Sequence, residues 1–129
     1  RIHRLGLEER VILPGYVPDE ELATLYSGAA VYAFPSLYEG FGFPALEAMA
    51  CGTPVVCANT SSLPEIVGDA ALTFAPTDVV GMAAALRRVL TEEPLRRRLI
   101  ERGFERVKRF TWQGAACATL DVLLEAAAI

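Results

Sequence analysis

Two carboxylates pose the first chemical question. Glu39 and Glu47 flank a glycine-rich stretch that reads Glu39-Gly-Phe-Gly-Phe-Pro-Ala-Leu-Glu47. Gly40 and Gly42 let a backbone bend sharply and approach a ligand without a Cβ in the way. Pro44 suits the first turn of a helix, which the apolar run through Ala50 continues to Gly52. A helix start leaves N–H groups unpaired and carries partial positive charge. Loop and helix start together suit an anion, most naturally a phosphate or diphosphate. Glu39 in the loop and Glu47 in the first helical turns can face one cleft. A carboxylate accepts from two vicinal hydroxyls at once, which fits a ribose diol or a sugar ring. The residues alone leave a plainer alternative. The glycines can be a simple strand-to-helix turn, Glu47 an acid favoured near a helix N-terminus, and Glu39 a solvated loop residue.

The elements that must position these groups alternate between strand and helix. Residues 10–16 read as a short apolar strand ended by Pro14-Gly15, and residues 19–26 as a helix with Asp19 as N-cap. Residues 31–35 form the next apolar run, directly before the loop 36–42. Residues 54–58 give a third strand, 62–67 a short helix ended by Gly68, and 72–75 a fourth strand. Asp78 can cap a helix to about Leu90. Glu93-Pro94 opens another, reaching about Lys108 or Arg109, and Thr111 caps a last helix to Ala127. The strands are continuous apolar runs, the pattern of strands buried on both faces. Helices between such strands imply an α/β domain with a parallel sheet of about four strands and a helical C-terminal tail. In open parallel sheets the ligand sits at the carboxyl ends of the strands, where the loop 36–42 lies.

The stretch from Glu39 to Val55 resembles the E-x7-E signature of the retaining GT-B glycosyltransferases that include mannosyl-, glucosyl- and sucrose-synthesising enzymes. The flanks PGYVPDEELATLYSGAAVYAFPS and SSLPEIVGDAALTFAPTD resemble the segments on either side of that signature. The resemblance covers nearly all of the chain and implies a Rossmann-like, C-terminal, donor-binding domain with the N-terminal acceptor domain absent. It implies a nucleoside diphosphate sugar as donor, transfer with retention at the anomeric carbon, and a sugar or lipid-linked acceptor. By position Glu39 takes the catalytic place against the donor sugar, and Gly40, Phe41 and Gly42 cradle sugar and phosphate. Glu47 binds the ribose, and Val17 is a weaker candidate for contact with the base. GDP-, UDP- and ADP-linked donors remain equal alternatives. No DxD motif is present, in keeping with a metal-independent reaction and no cofactor. An alternative reading is a non-catalytic nucleotide-binding or assembly fragment of the same fold.

Parts of the family pattern are missing. The family's acceptor-domain histidine has no match, since His3 sits in an arginine-rich opening. No Arg or Lys lies between Arg10 and Arg87 to neutralise a leaving diphosphate. The chain by itself is therefore expected to be inactive in transfer. In a doubly wound order 3-2-1-4-5-6 this chain holds strands 3 to 6. Its first strand, residues 11–15, then lacks an intrachain neighbour. The expectation is a homodimer through free strand edges or a rearranged first strand and helix.

Composition narrows the class. The 129 residues carry Lys+Arg 12 and Asp+Glu 16, a net charge of −4 that argues against a nucleic-acid binder. The hydrophobic fraction of 53% excludes disorder and fits one domain, residues 1–129. The chain opens on Arg1 rather than Met, as expected of a piece of a longer protein, with no signal-peptide pattern. Three cysteines (Cys51, Cys57, Cys117) without a CxxC pair read as buried free thiols in a reducing, cytoplasmic compartment. Nine of the basic residues lie between Arg87 and Arg109 against four acids, so that window is +5 and the rest −9. The plain reading is a solvated face with i,i+4 pairs such as Glu92–Arg96, Glu93–Arg97, Arg97–Glu101 and Glu105–Arg109. The sharper one is peripheral contact with anionic lipid through residues 96–98. Leu95, Leu99, Phe104, Val107 and Phe110 are expected on the packed face, and Trp112 as an anchor docking the last helix.

Overall fold

The three-dimensional structure, a computed structural model, describes residues 1–128. Three strands form a parallel sheet: β1 (Tyr32–Phe34), β2 (Val55–Ala58) and β3 (Ala71–Phe74), in the order β1-β2-β3. Tyr32 pairs with Val55, and Val55 with Ala71. All four residues of β2 are buried, so its unbroken Val-Val-Cys-Ala run is that of a central strand. Among the described residues a short 3-10 helix (His3–Leu5) opens the chain and six α-helices accompany the sheet: α1 (Asp19–Gly28), α2 (Phe43–Ala50), α3 (Leu63–Val67), α4 (Val79–Thr91), α5 (Glu93–Val107) and α6 (Trp112–Ala127).

The core gathers where these elements meet. Met49, Val55, Val56, Leu63, Val67 and Val89 are fully enclosed, with Leu95 and Leu99 of α5 closing one side. Helix α2 packs on β1 and β2, α4 on β2 and β3, and α5 lies against both helices. A Cβ on Gly103 of α5 would come 3.2 Å from Met49 Cγ of α2. The bare glycine thus permits the close approach of these two helices. Two caps form as the sequence implies. The Asp78 carboxylate accepts from Gly81 N–H at 2.8 Å, and Thr111 Oγ1 accepts from Gly114 N–H at 3.0 Å.

Several expectations need correction. The sheet has three strands rather than four, because residues 11–15 form no ladder and Ile12 and Leu13 stand in solvent at 85% and 80% exposure. A strand is stable only when a neighbour takes its backbone hydrogen bonds. Both described neighbours of β2 are already in place, and no third strand reaches residues 11–15. Asp19 is not an N-cap: Pro18 holds that position without a side-chain bond, and Asp19 lies inside the first turn. Phe104 is 45% exposed although its ring sits over Gly52. Trp112 does not anchor the last helix in the core: it is 84% exposed, and every residue of α6 from Trp112 to Ala127 is exposed. Cys57 is buried as expected, but Cys51 is half-buried and Cys117 exposed. Of the four expected ion pairs on the basic helices, Glu93–Arg97 forms at 2.8 Å. Arg88–Glu92, Arg96–Glu93 and Lys108–Glu105 replace the rest.

Candidate functional site

Parallel pairing of β1 with β2 puts the loops that follow them on the same rim of the sheet. The loop 35–42 leaves β1 and enters α2, and residues 59–62 leave β2 and enter α3. The two segments bond to each other through side chains of the second. Thr60 Oγ1 donates to Leu37 O at 3.4 Å, Ser61 Oγ to Glu39 O at 2.6 Å, and Ser62 Oγ reaches Glu39 O at 3.0 Å and Phe41 O at 2.7 Å. Gly42 ends the loop with φ +113°, and a Cβ there would come 2.8 Å from Leu63 Cδ2. Only glycine meets both demands. Pro44 follows in the first turn of α2, and no side chain caps that helix. The N–H groups of Gly40, Phe41, Gly42 and Phe43 donate to no acceptor among the described residues.

Glu47 lies on the exposed face of α2, where Tyr26 Oη of α1 donates to its Oε2 at 3.1 Å. Thr53 Oγ1 in turn donates to Tyr26 O, tying the end of α1 to the segment before β2. The Tyr26 ring meets Tyr32 of β1 edge-on, with centroids 5.3 Å apart. Burial pushes the Tyr26 phenol well above its ordinary value, and Tyr32 and Glu47 add to the shift. Burial also raises Tyr32, opposed by the neighbouring Tyr26 hydroxyl, and the charges of both Glu47 and Glu39 raise it further. Glu39 is held in the loop by backbone bonds to Ser61 and Ser62, and no described side-chain bond joins its carboxylate to Glu47.

A groove of about 560 Å³ opens beside Glu47, between α2 and the α5–α6 junction. Phe41, Phe43, Leu46 and Phe110 make its apolar wall, with Phe41 edge-on to Phe110 at 5.8 Å. Arg109 also lines it. The sequence shows no cation near the glycine loop, yet the fold carries one from the far end of α5 to this concave surface. Among the described residues no group of His, Cys, Asp and Glu could hold a metal ion. No described helix is long and apolar enough to cross a membrane. Val17 is half-buried just before α1 and joins none of these interactions. His3 pairs with Glu8 on the exposed opening turn and holds that carboxyl below its usual range. Tyr26, Ser61 and Ser62 have no marker in the sequence reading, because their partners lie more than twenty residues away.

Residues 1–106 match the family of glycosyl transferases group 1. The chain belongs to that family. It is 47% identical over 107 residues to the O-antigen chain mannosyltransferase B of Escherichia coli, covering 83% of this chain and 28% of that protein. It is 43% identical over 131 residues to the MMP alpha-(1->4)-mannosyltransferase of Mycolicibacterium hassiacum, covering 98% of this chain and 32% of that protein. Among solved structures, sucrose-phosphate synthase from Thermosynechococcus elongatus superposes with a TM-score of 0.85 at 37% identity. The match covers 98% of this chain and 33% of that one. The family is enzymatic and the fold is that of GT-B glycosyltransferases, of which this chain spans about a third of the relatives' length.

Proposed function

We propose that the chain is the C-terminal, donor-binding part of a retaining, metal-independent glycosyltransferase that moves a hexose from a nucleoside diphosphate sugar to a sugar or lipid-linked acceptor. The observation that carries this reading is the glycine loop, whose free amides open the α2 helix, with Glu39 in that loop and Glu47 on that helix. Unpaired N–H groups at a helix start stabilise an anion, here the donor diphosphate. Glu47 keeps one oxygen clear of Tyr26 to accept from a ribose diol. Glu39 faces the sugar, and developing negative charge on the leaving diphosphate falls to the loop amides. Mannosyltransferases among the relatives support a hexose as the transferred group. A cytoplasmic setting, where nucleotide sugars are available, goes with this reading.

Calorimetric titration of the chain with GDP, UDP and ADP, beside Glu47→Ala, tests it. Saturable binding of one nucleotide, weakened at least tenfold by loss of the charged acceptor, is expected. Binding that is indifferent to Glu47, or absent for all three, sinks the donor-site reading. The second reading, a non-catalytic module of the same fold, then takes its place.

A further inference from the structure

Three consecutive hydroxyl residues, Thr60, Ser61 and Ser62, bond the carbonyls of three alternate loop residues, Leu37, Glu39 and Phe41. The hydroxyls advance by one residue while the carbonyls advance by two, so that side chains hold one face of the loop backbone. Ser62 makes the arrangement most explicit. It stands at the N-cap of α3, where a serine oxygen ordinarily accepts from its own helix. Here it makes no such bond, and its one proton is shared between the carbonyls of Glu39 and Phe41. Ser61 holds φ +55°, a left-handed conformation uncommon for a residue with a Cβ. In that conformation its hydroxyl reaches Glu39 O at 2.6 Å, and Glu39 N–H points back to Ser61 Oγ at 3.4 Å.

Peptide geometry turns these bonds into a statement about the opposite side of the loop. Every peptide among the described residues is trans. A trans peptide sets its N–H antiparallel to its C=O. With the Glu39 and Phe41 carbonyls turned toward α3, the N–H groups of Gly40 and Gly42 point away from it. Those two amides have no acceptor among the described residues. A glycine backbone left to itself rotates freely, so some outside contact must fix the direction of its amides. We infer that Ser62, assisted by Ser61, is a positioning residue that aims the Gly40 and Gly42 amides at the donor diphosphate. The inference rests on the donor-site reading for its ligand, but the orientation is a property of the unliganded chain.

The test compares wild type with Ser62→Ala and Ser62→Thr. Threonine keeps the hydroxyl and alanine deletes it. In the free chain, the ¹⁵N amide signals of Gly40 and Gly42 are expected to move in S62A and to return in S62T. Unmoved signals overturn the clamp whatever the ligand result. In calorimetry, S62A is expected to bind the preferred nucleoside diphosphate about tenfold more weakly, with S62T restored. The matching nucleoside, which rests on Glu47 without the phosphates, is expected to change less than about twofold. Equal losses for nucleoside and diphosphate mark a merely structural role and overturn the proposal. Diphosphate binding by S62A at wild-type strength does the same. If wild type binds no nucleoside diphosphate, the donor-site reading fails, and the free-chain signals still decide the clamp.

Discussion

Glu47 arrives at the cleft with one carboxylate oxygen engaged by the Tyr26 phenol, 3.1 Å away. That bond restricts the carboxylate before any ligand arrives, and preorganised groups lose less entropy on binding. Tyr26→Phe keeps the ring against Tyr32 and removes only the donor. The expected result is nucleotide binding weakened about five- to tenfold, with the thermal midpoint at neutral pH nearly unchanged. The same phenol gives a pH signature. Its folded value lies above the ordinary 10.0, chiefly through burial, so the folded state favours the neutral form. The associated stability is therefore complete below about pH 10 and is lost as pH rises beyond it. Unfolding between pH 9 and 11 is expected to show a steeper alkaline loss in wild type than in Y26F. Parallel pH profiles with unchanged nucleotide affinity would remove Tyr26 from the site. The sequence displays Glu39 and Glu47 through their spacing around two glycines. It displays none of their partners, since contacts of Tyr26, Ser61 and Ser62 arise from strand order rather than from local pattern.

Among the elements, α3 has only five residues and cannot persist on propensity alone. Its last carbonyls are orphans of the helical bonding pattern. Arg106 of α5 supplies the missing donors. Its Nε donates to Ile66 O at 2.8 Å and its Nη2 to Glu65 O, while the guanidinium lies 5.3 Å from the Phe110 ring centroid. The fork geometry suits two adjacent carbonyls in a way that an ammonium cannot copy. Arg106→Ala is expected to lower unfolding stability by about 2 kcal/mol, and Arg106→Lys to recover less than half of that. Urea unfolding measures both, and full recovery in R106K would show that charge, not the fork, is what α3 needs. The contact also explains which elements can be read from a sequence. Val55–Ala58, Asp78 and Thr111 declare themselves locally as an apolar run and as caps. Residues 11–15 read as a strand for the same reason, yet strand formation depends on a neighbour that pattern does not reveal. Arg106 reads as one more charge in a basic run, and only the fold shows that it ends a helix forty residues earlier in the chain.

At the scale of the whole molecule, apolar surface is distributed unevenly. The buried core ends at α5, while α6 leaves Trp112, Leu120, Val122, Leu123 and Leu124 more than half exposed. Asp121 and Glu125 are the only charges between Trp112 and Ala127. A sixteen-residue helix of this composition gains little stability in water unless an apolar face is covered. Contiguous apolar exposure of this kind is characteristic of surfaces that associate. The relatives are about three times as long as this chain, so their further residues can supply such cover. For the 129-residue chain in solution, the available partner is a second copy. Sedimentation equilibrium between about 1 and 100 μM is expected to show reversible self-association, within the affinity range of modest apolar interfaces. Leu120→Lys with Leu123→Lys adds charge to α6 without touching the core, and is expected to return the chain to monomer. The free outer edges of β1 and β3 are the competing contacts, since unpaired strand edges also recruit copies. A dimer that survives the double lysine variant assigns the association to a sheet edge. A wild-type monomer at 100 μM rejects both contacts and shows that α6 stands in water unaided.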